Sequence, residues 1–207
     1  MENSDSASPI SDFPLDGPVV IFALEWTAWE GSRERDWTGP GEEREIVEIG
    51  AVKLDGTDGL SETMSFEILV RPTINPIVSG YFTDLTGITQ TYIDNEALPF
   101  REAIVLFEGF VGYDNAPILS FSQDEGVLRH NCTLNRLPCP FADTQLHNVA
   151  PAIAAAAGRK PGSFSTSHLP EIFRFPPPEN AHRALGDARC IAETLRLLSG
   201  AQANTKH

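Results

Sequence analysis

The amino-acid sequence predicts an α/β domain in which a mixed β-sheet is flanked by α-helices, and three observations point there. Residues 17–26 (GPVVIFALEW) are a continuous apolar run of strand length, the pattern of a buried central strand. Two more strand-like runs follow at 45–54 (EIVEIGAVKL) and 64–71 (MSFEILVR), joined by a DGTDG turn. After Pro72 the pattern changes, and helical segments alternate with short strands, the order of a mixed-sheet α/β domain.

The elements follow in chain order. Residues 1–16 are polar, with repeated Ser, Asp and Pro, and predict a disordered leader. Residues 27–45 (TAWEGSRERDWTGPGEERE) predict a long exposed loop, and loops of that length are uncommon unless functional. A short helix is expected at 82–90 (FTDLTGITQ), ended at Gly87. Within 99–112, Phe100, Ala103, Ile104, Phe107, Phe110 and Val111 recur at helical spacing. A strand is expected at 117–121, a helix start at 124–130 and an edge strand at 141–144. An Ala-rich helix at 150–157 is closed by Gly158, and a short helix at 169–173 is cut off by Pro176, Pro177 and Pro178. The last helix, from about Ala184 to Leu198, buries Leu185, Ala188, Ile191, Ala192, Leu195 and Leu198. The domain is thus expected to span 17–199, with a flexible tail at 200–207.

Composition narrows the class. Hydrophobic residues are 41% of the 207, enough for a real core. No apolar run approaches the ~18 residues of a membrane span, and no signal peptide is visible. Cys132, Cys139 and Cys190 lack CxxC spacing, which predicts a reducing, cytoplasmic setting. The net charge of −14 weighs against broad nucleic-acid binding. It is uneven: residues 1–62 carry fifteen acids and four bases, residues 129–207 five acids and nine bases. Local grip on phosphates is therefore compatible with the sequence. His130, Cys132, Cys139 and His147 do not have structural-zinc spacing.

The acids carry the chemistry. Glu25 closes the first buried strand, where a carboxylate needs a partner or a metal. Asp124 follows the strand at 117–121, and Asp187 lies in the first turn of the last helix, five residues after His182. Taken singly, Asp124 reads as a helix cap and Asp187 as a first-turn acid favoured by the helix dipole.

Together they resemble a known family. ALEWT at 23–27 with EIVEIGAVKL, LSFSQDEGVL at 119–128 and HRALGDA at 182–188 resemble the three ordered motifs of the DEDDh (DnaQ-like) 3′–5′ exonucleases. RPTINPIVSGYFTDLTGITQ at 71–90 resembles the branch of the histone-mRNA/siRNA exonucleases and the bacterial sporulation-inhibitor-like exonucleases. The resemblance covers roughly 17–199 and implies a ribonuclease-H-like fold. It implies two Mg²⁺ or Mn²⁺ ions held by Glu25, Asp124 and Asp187, with His182 as general base. Hard divalent ions prefer oxygen ligands, and two-metal sites cleave phosphodiesters in line. It also implies that Leu24, Trp26, Thr27, Leu85, Thr86 and Gly87 meet the 3′-terminal nucleotide of a single-stranded or overhanging RNA or DNA, Leu85 wedging against its base.

One departure stands out. Where the family carries its first Asp, a metal ligand, this chain has Ala23. Either Asp was replaced by Ala to trap substrate, which the otherwise intact set favours, or the protein is naturally a pseudo-enzyme. The expected function is a metal-dependent 3′–5′ exonuclease inactivated or impaired by Ala23. Its alternatives are a catalytically inactive nucleic-acid-binding protein and a short-oligonucleotide phosphodiesterase. Trp29 and Trp37 with Arg33 and Arg35 in the loop are candidates for stacking on single-stranded bases, or for packing and pairing with neighbouring Glu residues. The oligomeric state, monomer or homodimer, stays open, and no membrane partner is expected.

Overall fold

The structure, a computed structural model, describes residue 10 and residues 12–112, 115–179 and 182–200. Six strands form one sheet: β1 (Pro18–Trp26), β2 (Ile46–Asp55), β3 (Ser61–Arg71), β4 (Leu98–Pro99), β5 (Ile118–Ser120) and β6 (Leu146–Asn148). Their spatial order is β4-β3-β2-β1-β5-β6. β1, β2 and β3 run antiparallel to their neighbours in that trio, whereas β4, β5 and β6 join by parallel pairing. The mixed sheet flanked by helices is the architecture expected from the sequence.

Alternation along β1 separates two cores. Val19, Ile21 and Ala23 face one cluster, completed by α5 (Ala150–Ala156), α6 (Leu169–Phe173) and α7 (Ala184–Ser199). Val20, Phe22 and Leu24 face the other, with α3 (Phe100–Val111) and α4 (Asp124–Leu134). Phe22 and Phe107 are fully buried with ring centroids 5.6 Å apart, each burial contributing about 1.5–3 kcal/mol. Burial on both faces is why the run at 17–26 shows no polar alternation.

Between β3 and β4 lie α1 (Gly80–Thr86) and α2 (Gln90–Glu96). Ser79 caps α1 through the Phe82 N–H, and Gly87 ends it in the left-handed region at φ 72°. Thr89 then caps α2. The first helix ends at Gly87 as expected, whereas α2 is not expected from the sequence, because Ile93 is its one buried residue and shows no period.

Two expectations are corrected. The edge strand expected at 141–144 lies at Leu146–Asn148 instead. Residues 142–145 turn back, Gln145 N–H donating to Ala142 O at 3.0 Å, and pairing begins only where Ile118 N–H meets Gln145 O at 2.7 Å. The disordered leader expected at 1–16 does not hold for its later part: Ile10 is buried, with Phe13 and Leu15 packed against the same cluster. Residues 1–9 and 11, and 201–207 of the expected tail, lie outside the described residues.

Candidate active site

Strand geometry builds the floor of the site. Ala23 and Glu25 are two residues apart on β1 and project from one face, the face that α7 covers. Gly50 pairs with Ala23 in the neighbouring strand. A Cβ on Gly50 would sit 2.0 Å from Leu185 N and 2.3 Å from Ala184 C, so the missing side chain is what lets the start of α7 settle on the sheet. That close approach brings Asp187, in the first turn of α7, over β1 and β2.

Asp124 reaches the floor from the other side. It begins α4, just after β5, and its Oδ1 accepts the Leu24 N–H at 2.8 Å. Asp187 Oδ2 accepts from Thr166 Oγ1 at 2.5 Å, while its Oδ1 is buried and has no partner among the described residues. Ala23, Glu25, Asp124, His182 and Asp187 line one cleft of about 430 Å³. His182 stands exposed at its wall, with a left-handed φ of 75°, a conformation that costs a non-glycine residue energy and clusters at functional sites.

The three acids are poorly compensated. Burial pushes Asp124 up to about 8, opposed by the Leu24 N–H and reinforced by the charge of Asp187. Burial also raises Glu25 well above the usual carboxylate range, with Asp187, Glu48 and Asp124 adding repulsion and Arg183 opposing. Asp187 is raised by burial, against the Thr166 hydrogen bond and the charge of His182. Such a group must take up protons or be met by a cation. Arg183 is already committed: its Nε donates to both oxygens of Glu48, at 2.8 and 3.0 Å, and its terminal nitrogen also bonds Glu48.

Among the described residues no three His, Cys, Asp or Glu side chains stand close enough together to hold a metal ion as they are placed. The donor set nevertheless fits a hard divalent cation. It consists of carboxylate oxygens, one of them orphaned, at the floor of an open cleft. A carboxylate at position 23 would join this set from the same face as Glu25; the methyl of Ala23 offers no donor.

The expected substrate contacts divide. Leu24, Trp26 and Leu85 line the cleft. Thr27, Thr86 and Gly87 do not, for a local reason. Thr27 is buried, bonded to Glu43 O and accepting the Glu45 N–H at 3.0 Å. Thr86 Oγ1 donates to Phe82 O at 2.9 Å and accepts from Ile88 N–H, closing the end of α1, and Gly87 supplies the left-handed turn there.

The loop at 27–45 is braced rather than simply exposed. Trp37 Nε1 donates to Thr27 O at 2.8 Å, and its ring packs at 6.0 Å from Trp26. Arg35 pairs with Glu42, and Arg44 pairs with Asp36 and lies 5.0 Å over the Trp37 ring. Glu45 accepts the backbone N–H groups of Thr73, Ile74 and Asn75. The four zinc-like candidates are not brought together as a site: His130 bonds Glu43 at 2.7 Å and His147 packs on Phe13.

Two supporting residues escaped the sequence reading. Glu48, fully buried, holds Arg183 and accepts the Ala184 N–H at 2.8 Å, anchoring the start of α7. Its signal was an acid inside the apolar run IVEIGAV. Thr166, in a short 3₁₀ turn, orients Asp187 and left no signal.

The exonuclease (RNase_T) family pattern matches residues 25–195. Snipper, a 3′–5′ exonuclease of Drosophila melanogaster, is 36% identical over 89 residues, 43% of this chain and 30% of that protein, so the match spans well under half of that relative's length. The nuclease domain of 3′hExo, a DEDDh family member bound to rAMP, superposes with a TM-score of 0.75 at 22% identity, covering 94% of this chain and 98% of that one. A 3′-exonuclease described for 3′-end-specific recognition of the histone mRNA stem-loop gives a TM-score of 0.73 at 25% identity, over 93% of this chain and 68% of the other. The sheet order and flanking helices are those of the ribonuclease-H-like fold.

Proposed function

Since the chain belongs to the exonuclease (RNase_T) family, we propose that its site is built for metal-dependent 3′–5′ exonucleolysis of a single-stranded or overhanging 3′ end, and that Ala23 leaves it impaired. The observation that carries this reading is the meeting of Glu25, Asp124 and Asp187 from three separate elements at the floor of one cleft, with His182 at its wall.

Glu25, Asp124 and Asp187 are the residues that would hold Mg²⁺ or Mn²⁺. Such ions, when bound, acidify a water and stabilise developing charge on phosphate oxygens. The chain's own groups do the rest. Leu24 N–H and Thr166 Oγ1 fix the two aspartates, and Glu48 with Arg183 fixes the helix that carries Asp187. His182, exposed to the cleft, accepts a proton from the attacking water, a task suited to imidazole near neutral pH. Trp26 and Leu85 present apolar surface to the terminal base. A blunt duplex cannot place its last nucleotide at the floor without fraying, because the scissile phosphate must reach buried acids.

The relatives bound to rAMP and recognising a histone mRNA stem-loop support RNA as the first substrate to try. Three free cysteines suit a reducing, cytoplasmic setting. No helix among the described residues is long and apolar enough to cross a membrane. A second reading, nucleic-acid binding without turnover, is favoured by Ala23 itself. Restoration separates them: Ala23→Asp, given Mn²⁺ and a 5′-labelled single strand, should shorten it stepwise from the 3′ end, and a 3′-terminal block should abolish this. An inert Ala23→Asp protein on both RNA and DNA overturns the nuclease reading.

A further inference from the structure

The cleft has to hold a polyanion, yet its floor is acidic and the chain carries a net charge of −14. Phosphate binding depends on local cations. Among the described residues, Arg33 is the only Lys or Arg that lines the cleft. Its guanidinium makes no hydrogen bond or ion pair among the described residues, whereas Arg35 and Arg44 of the same loop are both paired.

The backbone beneath Arg33 is built to stay in place. Ser32 is buried, accepting the Trp29 N–H through Oγ at 3.0 Å, and its carbonyl accepts the Trp37 N–H at 2.8 Å. Ser79 Oγ bonds Ala28 O at 2.5 Å, tying the loop to α1. Asp36 and Trp37 both adopt left-handed φ values, 51° and 53°, strain that persists only where surrounding contacts enforce it. A braced loop thus presents one uncommitted cation to an acidic cleft.

We propose, resting on the nuclease reading above, that Arg33 binds a phosphodiester of the strand upstream of the scissile linkage. The scissile phosphate has to meet the buried acids at the floor. Arg33 is exposed at the rim, so the phosphate within its reach is one further along the strand. A guanidinium suits this task because its planar fork of donors matches phosphate oxygens.

The test uses the Ala23 chain as it stands, with Mg²⁺ and a ten-nucleotide single strand, followed by fluorescence anisotropy. Arg33→Gln should raise Kd roughly fivefold, the size of an exposed charge contact. It should flatten the slope of log K against log salt by about 0.7, the loss of one single-strand phosphate contact. Arg33→Lys should recover part of the affinity and the full slope. Arg101→Gln, an exposed arginine outside the cleft, should change neither, and binding of a 5′-mononucleotide should be indifferent to Arg33→Gln. An unchanged Kd, or a shift matched by Arg101→Gln, overturns the assignment while leaving the nuclease reading intact. Equal losses for mononucleotide and ten-mer would place Arg33 on the terminal phosphate and overturn it as well. A chain that binds no oligonucleotide, together with an inert Ala23→Asp variant, would sink the nuclease reading and this one with it.

Discussion

Gly50→Ala is the smallest change that should disconnect the site from its scaffold. The new Cβ would lie 2.0 Å from Leu185 N, 2.3 Å from Ala184 C and 2.6 Å from Leu185 Cα, all backbone, where ordinary contact begins at 3.4 Å. The first turn of α7 must therefore retreat by about 1.4 Å, the difference between those two distances. Overpacking of this kind costs about 1–3 kcal/mol, and a backbone obstacle belongs at the upper end because no rotamer relieves it. Alanine's smaller loss of chain entropy returns only about 0.5–1 kcal/mol. A net loss of about 2 kcal/mol is expected, read from the urea midpoint at constant slope. Function should suffer more than stability. The retreat carries Asp187 away from Glu25 and Asp124, and a misplacement near 1 Å costs about 10²-fold. In the Ala23→Asp background, Gly50→Ala should therefore lower turnover about 100-fold while the protein stays folded. A stability change within about 0.5 kcal/mol and unchanged turnover would refute the view that close approach at Gly50 sets the position of Asp187.

Asp124 sits near 8 in the folded protein against an ordinary 3.8, so the native state keeps a proton that the unfolded chain has released. In chelator, stability should accordingly fall as pH rises from about 4 to about 8, and Asp124→Asn should remove up to a few kcal/mol of that fall; denaturant curves at several pH values check it, and an unaltered slope in the variant counts against the assignment. His182→Ala, made in the Ala23→Asp background, should slow turnover by about 10²- to 10⁴-fold, as for a lost general base, with oligonucleotide affinity unchanged. An equal loss of affinity would make His182 a binding residue instead.

The parts of the fold legible in the sequence are those set by local pattern. The run GPVVIFALEW reads as a central strand because both of its faces are buried, and the last helix reads from its apolar spacing. Glu25, Asp124, His182 and Asp187 stand out only as a set, through the order in which they resemble the exonuclease motifs, and the structure brings all four to one cleft. What stayed illegible depends on partners distant in sequence. Glu48 looks anomalous until Arg183 is seen to hold it. Residues 27–45 look exposed by composition, yet several of their polar groups are held by the rest of the fold, Glu45 by three backbone N–H groups and Trp37 by the Thr27 carbonyl, while Arg33 is left facing the cleft. Thr27 and Thr86 resemble substrate contacts by position along the motif, whereas the Thr27 hydroxyl is spent on tying the two ends of the long loop together and that of Thr86 on closing the end of α1.

Position 23 is where the proposed function is most exposed to refutation. Titration calorimetry with Mn²⁺, on the chain as it stands and on Ala23→Asp, measures directly whether the missing carboxylate is what limits the site. With Ala23, Glu25, Asp124 and Asp187 should hold at most one ion, because a cation kept by one or two carboxylates relies on water or phosphate for the rest of its shell. Ala23→Asp should add a second tight ion together with turnover. Two tight ions already present with Ala23, or no gain in ion binding on Ala23→Asp, would contradict the assignment of position 23 as the absent ligand.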